Sequence, residues 1–217
     1  MRRVFKHIIT LWLIVACCFT ARSFAETSKV DLLAAGQSAW QRVDPGWSFA
    51  DGKLSGTTKL MDGAKTDPAA STFLVSRTVF GGDVIVSLDI VFQAGRYLGV
   101  YLDFDQDSQT GIWMATGHAL AEDAADNEIE RAYIKTVEDS SWVVRATGEL
   151  IVQPGHILRL RFERQGDDYS IYHDENLIVN YRKLGGYAAG PLQIRLTNAS
   201  AVIHGLAVES DWQRQSQ

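Results

Sequence analysis

Two-residue alternation of apolar and polar side chains runs through most of this chain and constrains its fold more than any other feature. VIVSLDIVF (Val84–Phe92) sets Val84, Val86, Leu88, Ile90 and Phe92 on one face, with Ser87 and Asp89 on the other. YLGVYLDFD (Tyr97–Asp105) turns Leu98, Val100, Leu102 and Phe104 inward and Tyr97, Tyr101, Asp103 and Asp105 outward. HILRLRFE (His156–Glu163) and LQIRLT (Leu192–Thr197) repeat the pattern, with Arg159, Arg161, Gln193 and Arg195 among the outward residues. Such a period belongs to strands buried on one side. Helical periodicity is nearly absent. Turn signals separate the runs: GGD at Gly81–Asp83, QGDD at Gln165–Asp168 and DEN at Asp174–Asn176. The last two divide HILRLRFER, YSIYH and LIVNYR into a three-strand meander. The pattern predicts an all-β, antiparallel two-sheet sandwich. His118–Trp142 breaks the rhythm with acidic residues before a strand resumes over Glu130–Val137. In a sandwich, an insertion of that kind crosses one end, where sites are built.

The amino-terminal segment reads as an address. Arg2, Arg3 and Lys6 precede an apolar run from Ile8 to Cys18, and Ser23–Ala25 supplies small residues for signal-peptidase cleavage. That run is about half of the roughly 20 residues a membrane-spanning helix needs. The expectation is a signal peptide over residues 1–25 and one exported β-domain over 26–217, secreted or periplasmic. IVAC, Ile14–Cys17, resembles a bacterial lipobox and offers the alternative, a lipid anchor at Cys17 on the outer face of a membrane. Cys17 and Cys18 are the chain's only cysteines, so the cleaved protein is held by its core without disulfides. Cleavage removes Arg2, Arg3, Lys6 and Arg22 and no acid. The 21 basic residues fall to 17 against 26 acidic ones, a net charge of −9. This balance disfavours a nucleic-acid partner.

The order of motifs resembles concanavalin-like (laminin-G-like) jelly rolls. WSFADGKLSG (Trp47–Gly56) resembles their W-x-V-x-D-G-x-L-x-G opening, and FGGDVIVSLDIVF their F-x-D-F-x-L-x-x-D-F strand. YLGVYLDFDQDSQTGIWMATG, HILRLRFERQGDDYSIYHDENLIVNYR and GGYAAGPLQIRLTNASAVIHGLAVES follow, similar to the remaining hairpins and closing strands, so the likeness covers about residues 40–210. It implies a jelly roll that binds a saccharide or glycan on a concave sheet. The nearest enzymes it implies are secreted bacterial 3-keto-disaccharide hydrolases. Their N-S-G-x-x-F-R and G-x-E-x-Q-x-x-D motifs stand here as RYLGVYLD and EIERAYIK, out of register. The E-x-D-x-x-E acids of laminarinase-type glycosidases are not supplied by DNEIER.

Asp103, Asp105 and Asp107 fall at alternate positions, as in a calcium loop, but Ser108 and Met114 stand where that loop needs Gly and Glu. Asp105 to Gly111 read instead as a hairpin connection, with a looser oxygen site for calcium as the alternative. Asp103 is retained as a candidate catalytic residue, with Glu130 as the second candidate acid or base. Tyr101 and Arg195 share the outward side with Asp103, and Trp113 joins them if the hairpin register permits. An aromatic plate beside a guanidinium and a carboxylate is a sugar-holding arrangement, so Tyr101, Trp113 and Arg195 are candidate substrate-binding residues. His118, His156, His173 and His204 lack metal-ligand spacing, and His204 sits at a core-parity position beside Val202, Leu206 and Val208. No phosphate loop, G-x-S-x-G or H-E-x-x-H occurs, so neither metal nor cofactor is expected. The functional expectation is carbohydrate binding in glycan processing, with a hydrolase or a structural module as alternatives.

Overall fold

The structure is a computed structural model describing residues 28–59, 71–95, 97–102, 111–117, 131–138, 141–185 and 189–215. The segment 1–25, Cys17, the distal aspartates, Asp103 and Glu130 lie outside the described residues. Among those described, the strands are β1 (Ser28–Asp31), β2 (Trp40–Val43), β3 (Trp47–Ala50), β4 (Lys53–Thr57), β5 (Ser71–Ala94), β6 (Tyr97–Tyr101) and β7 (Gly111–Gly117). They continue with β8 (Arg131–Glu138), β9 (Ser141–Glu149), β10 (Ile157–Gln165), β11 (Asp168–His173), β12 (Asn176–Arg182), β13 (Gly190–Thr197) and β14 (Ser200–Gln215). Every pairing is antiparallel. The expected antiparallel sandwich is what forms.

The long strand β5 belongs to both layers. Its second half pairs with β10 on one side and β14 on the other, giving a first sheet ordered β12-β11-β10-β5-β14. Beyond β14 lie β1 and, end to end with it, the β4–β3 hairpin. The first half of β5 pairs with β2 and β13, giving a second sheet ordered β2-β5-β13-β6-β7-β8-β9. The strand passes between layers at Gly81–Gly82. Gly82 has φ +71°, and a Cβ on Gly81 would run into the Trp212 ring, so the crossing requires glycine at both positions. Arg164, itself buried, donates from Nε and Nη2 to the Gly82 carbonyl at 3.0 and 2.8 Å and pins the bend.

Between the layers, the inward residues of both sheets form one core. Val84, Val86, Leu88, Ile90 and Phe92 meet Leu98, Val100, Ile112, Met114, Ile134, Ile194 and Leu196, all essentially inaccessible to solvent. Each such large aliphatic side chain contributes about 1.5–3 kcal/mol relative to exposure. At one edge the sheets approach closely enough that a Cβ on Gly148 of β9 would strike the Ile178 carbonyl of β12.

The meander β10–β11–β12 turns at the two places its sequence signals, and Asn198, at φ +45°, makes the turn between β13 and β14. One inference from parity is corrected. His204 is exposed, not buried, because a bulge between Ile203 and Gly205 shifts the alternation of β14. Ile203 and Leu206 take the inward positions, while Val202 is only half-buried. A one-residue slip reverses every side chain on its far side.

Candidate functional site

The outward face of the second sheet is assembled by register. One row runs Val75, Gln193, Tyr101, Trp113, Lys135 across β5, β13, β6, β7 and β8. The next runs Phe73, Arg195, Gly99, Ala115, Tyr133, and a third places Thr197 beside Tyr97. Directly opposed residues share a face. Register therefore pairs Trp113 with Tyr101 across β6 and β7, the parity that hairpin length alone leaves open. Three of the sequence-derived positions fall on one face of three neighbouring strands.

The second row is small at its centre, where Gly99 and Ala115 lie between Arg195 and Tyr133. Tyr97, Tyr101, Ala115 and Tyr133 pack into an apolar cluster separate from the main core. The Tyr97 and Tyr133 ring centroids are 6.4 Å apart with planes inclined at 49°, an edge-biased aromatic contact. The Lys135 ammonium lies 4.7 Å from the Tyr133 centroid. This corrects the expected solvent-facing strand. Tyr101 is 3% exposed, Tyr97 5%, and Gln193 and Lys135 are buried as well. Alternation predicted the face correctly, but the polar-out rule mistook tyrosines and a glutamine for solvated groups.

Burial has an electrostatic consequence. It raises the phenol pKa of Tyr97 well above the usual tyrosine range, and it raises those of Tyr133 and Tyr101. At Tyr101 the Arg195 guanidinium works against the shift by charge and hydrogen bond. All three phenols are neutral at physiological pH, so each keeps a proton to donate.

The margin of the face is more open. Arg195 is half-buried; its Nε and Nη2 both donate to Ser71 Oγ, at 3.0 and 2.8 Å, and its guanidinium carbon lies 5.4 Å from the Phe73 centroid. Arg42, from β2, stands 5.0 Å from the same ring and holds Asp44 through two hydrogen bonds of 2.8 and 3.1 Å. Phe73 thus carries two guanidinium contacts, each of the cation–π type. Phe73, Tyr133, Lys135 and Gln193 were not singled out from sequence. The signal that could have found them is the period-two parity of β5, β8 and β13 once pairing is known. Among the described residues, no three His, Cys, Asp or Glu side chains are grouped to hold a metal ion.

No family model matches the chain, and no curated relative matches it either. Solved structures do. The carbohydrate-binding module CBM66 from Bacillus subtilis aligns with 79% of this chain and 96% of its own at 16% identity, TM-score 0.57. The exoplasmic/lumenal domain of VIP36, in its Ca2+/Man3GlcNAc-bound form, aligns with 82% of this chain and 84% of its own at 8% identity, TM-score 0.58. The kappa-carrageenase from Pseudoalteromonas carrageenovora, in complex with a carrageenan oligotetrasaccharide, covers 85% and 96% at 9% identity, TM-score 0.54. The fold is a concanavalin-like jelly roll. At these identities the likeness is one of architecture. Within this jelly roll, the tyrosine-lined face lies on the sheet ordered β2-β5-β13-β6-β7-β8-β9.

Proposed function

We propose that this jelly roll is an exported carbohydrate-recognition domain that engages saccharide on the outward face of its second sheet. One observation carries the reading: the cross-strand register brings Tyr101, Trp113 and Arg195 to a common face beside Gln193. Half-buried Arg195 supplies guanidinium donors for sugar hydroxyls and half-buried Phe73 a ring for the C–H faces of pyranose rings, with the buried phenols and Gln193 packed beside them. The half-buried margin at Phe73 and Arg195 is where a ligand first meets this face. The structural neighbours support the reading, since one is named a carbohydrate-binding module and two were solved with saccharide bound.

Glycan-array binding by the full chain tests it. Arg195→Gln, which leaves the buried tyrosines in place, is expected to weaken saccharide binding at least about tenfold, as loss of a charge-assisted hydrogen bond does. Tyr101→Phe tests the phenol while preserving the ring and the packing. Absence of any glycan response by the folded wild-type protein sinks the reading. Release of reducing sugar, abolished by Asp103→Asn or Glu130→Gln, would replace recognition with hydrolysis.

A further inference from the structure

The opposite side of the molecule holds a depression of about 300 Å³ on the outward face of the first sheet, bordered by β5, β10, β11 and the turn after β11. That volume is at the lower end of the roughly 300–1,000 Å³ usual for small-ligand sites. Its wall is built around Arg161. The guanidinium lies 4.0 Å from the Tyr172 ring centroid, pairs with Glu163 through Nη1, and reaches Glu175 through Nη2 at 3.1 Å. Its remaining Nε–H is buried without a protein acceptor. Arg159 pairs with Asp174 at 3.5 Å. Asp89 stands opposite Arg159 in register and opposite Gly205 on its other side. Among the described residues, the Asp89 carboxylate makes no hydrogen bond or ion pair.

Two backbone features converge on the same place. Asp174 and Glu175 form a two-residue hairpin turn with φ of +45° and +66°. Such turns favour glycine, above all at the second position, as Asp51–Gly52 shows elsewhere in this chain. Here a glutamate occupies that strained position and directs its carboxylate to Arg161. Beside it, a bulge between Ile171 and Tyr172 shifts the register of β11 against β12. Strain and bulges together mark places where side-chain placement is maintained against local preference.

We infer that this depression is a second ligand site, taking a neutral, hydroxyl-rich ring such as a single saccharide unit. The charge pattern selects the class. Among the lining residues, Asp89, Asp174 and Glu175 outnumber Arg159 and Arg161, which opposes phosphate, sulfate and carboxylate ligands. Free carboxylate oxygens accept from hydroxyls, and the clamped guanidinium donates without losing side-chain freedom on binding. The site does not depend on the tyrosine-lined face. If both take sugar, the domain bridges two segments of a glycan, or two glycans, from opposite sides.

The test is a titration of the full-length, ¹⁵N-labelled protein with glucose, galactose, mannose and xylose, with galacturonate as the charged control. A neutral sugar is expected to shift the Ser87, Asp89, Tyr172 and Glu175 amides and the Arg161 Nε–H resonance, while galacturonate binds this site more weakly. Asp89→Asn is expected to weaken that binding about tenfold, the usual loss for a hydrogen bond to a charged group. Glu175→Gly relieves the turn, so it is expected to melt higher while binding more weakly. Shifts confined to Gln193 and Arg195 overturn this second site and leave the first in place. Shifts confined to the depression uphold it and remove the first. Unaltered sugar binding in both Asp89→Asn and Glu175→Gly also overturns it.

Discussion

The two outward faces of this sandwich come from nearly the same sequence rhythm, yet they are opposite environments. On the second sheet, outward Tyr97 and Tyr101 of β6 and Tyr133 and Lys135 of β8 are all buried. On the first sheet, outward Arg159 of β10 is exposed and outward Arg161 half-buried, pairing with Asp174 and Glu175, while outward Glu163 beside them is buried against Arg161. Alternation specifies which residues leave the core. It does not specify whether what they enter is water. A tyrosine carries a large apolar body with one polar atom, so it can be buried at little cost once its hydroxyl is accommodated. An arginine–carboxylate pair is stable in water and gains little from burial.

The largest test of this contrast is truncation of one aromatic on each face. Tyr133→Ala is expected to cost about 3–5 kcal/mol in urea denaturation, the range for emptying a packed aromatic site. Tyr172→Ala, which loses mainly its contact with Arg161, is expected to cost about 1 kcal/mol. Equal losses would show that the two faces are buried alike.

Alkaline pH sharpens it. In the folded protein the pKa values of Tyr97, Tyr101 and Tyr133 are raised by burial, whereas in the unfolded chain they return to about 10. Below that pH the phenols are protonated in both states and contribute no pH dependence. Above it the unfolded chain releases protons that the folded one retains, so stability falls as pH rises toward the folded values. Absorbance titration of phenolate is expected to show Tyr97, Tyr101 and Tyr133 ionising late, or only on unfolding. Ordinary ionisation of these tyrosines would contradict a buried cluster.

On the first sheet the expected effects are small and of mixed sign. Glu175→Gly is expected to stabilise by about 1 kcal/mol in thermal denaturation, since φ of +66° disfavours any side chain. Arg159→Ala, at an exposed pair, should change stability by less than about 0.5 kcal/mol, and added salt should shrink even that. A loss of several kcal/mol from Arg159→Ala would show that this face is tied into the core.

Much of the fold was legible because inward parity is redundant. Five inward residues in Val84–Phe92 all agree, and a single exception would not have moved the strand. His204 shows where that redundancy fails, for the bulge at Ile203–Gly205 leaves no mark in the composition of β14. The candidate site was legible only in outline. Tyr101 and Arg195 could be placed on outward faces from their own strands, but their adjacency across β6 and β13, and the register position of Trp113 opposite Tyr101, depend on pairings between distant segments. Tyr133 and Phe73 were missed for the same reason. The depression near Arg161 was missed because it needs β5, β10, β11 and a turn conformation that disfavours its own residue.

What the sequence determined by itself is local: which residues form strands, where they turn, and which side of each strand meets the core, because a two-residue period is a property of one segment. What tertiary structure decided is relational. It set which outward rows become neighbours, that tyrosines on one sheet are buried while Arg159 on the other is wet, and where bulges reverse a face. Those outcomes rest on contacts between segments far apart in the chain, and no single segment encodes them.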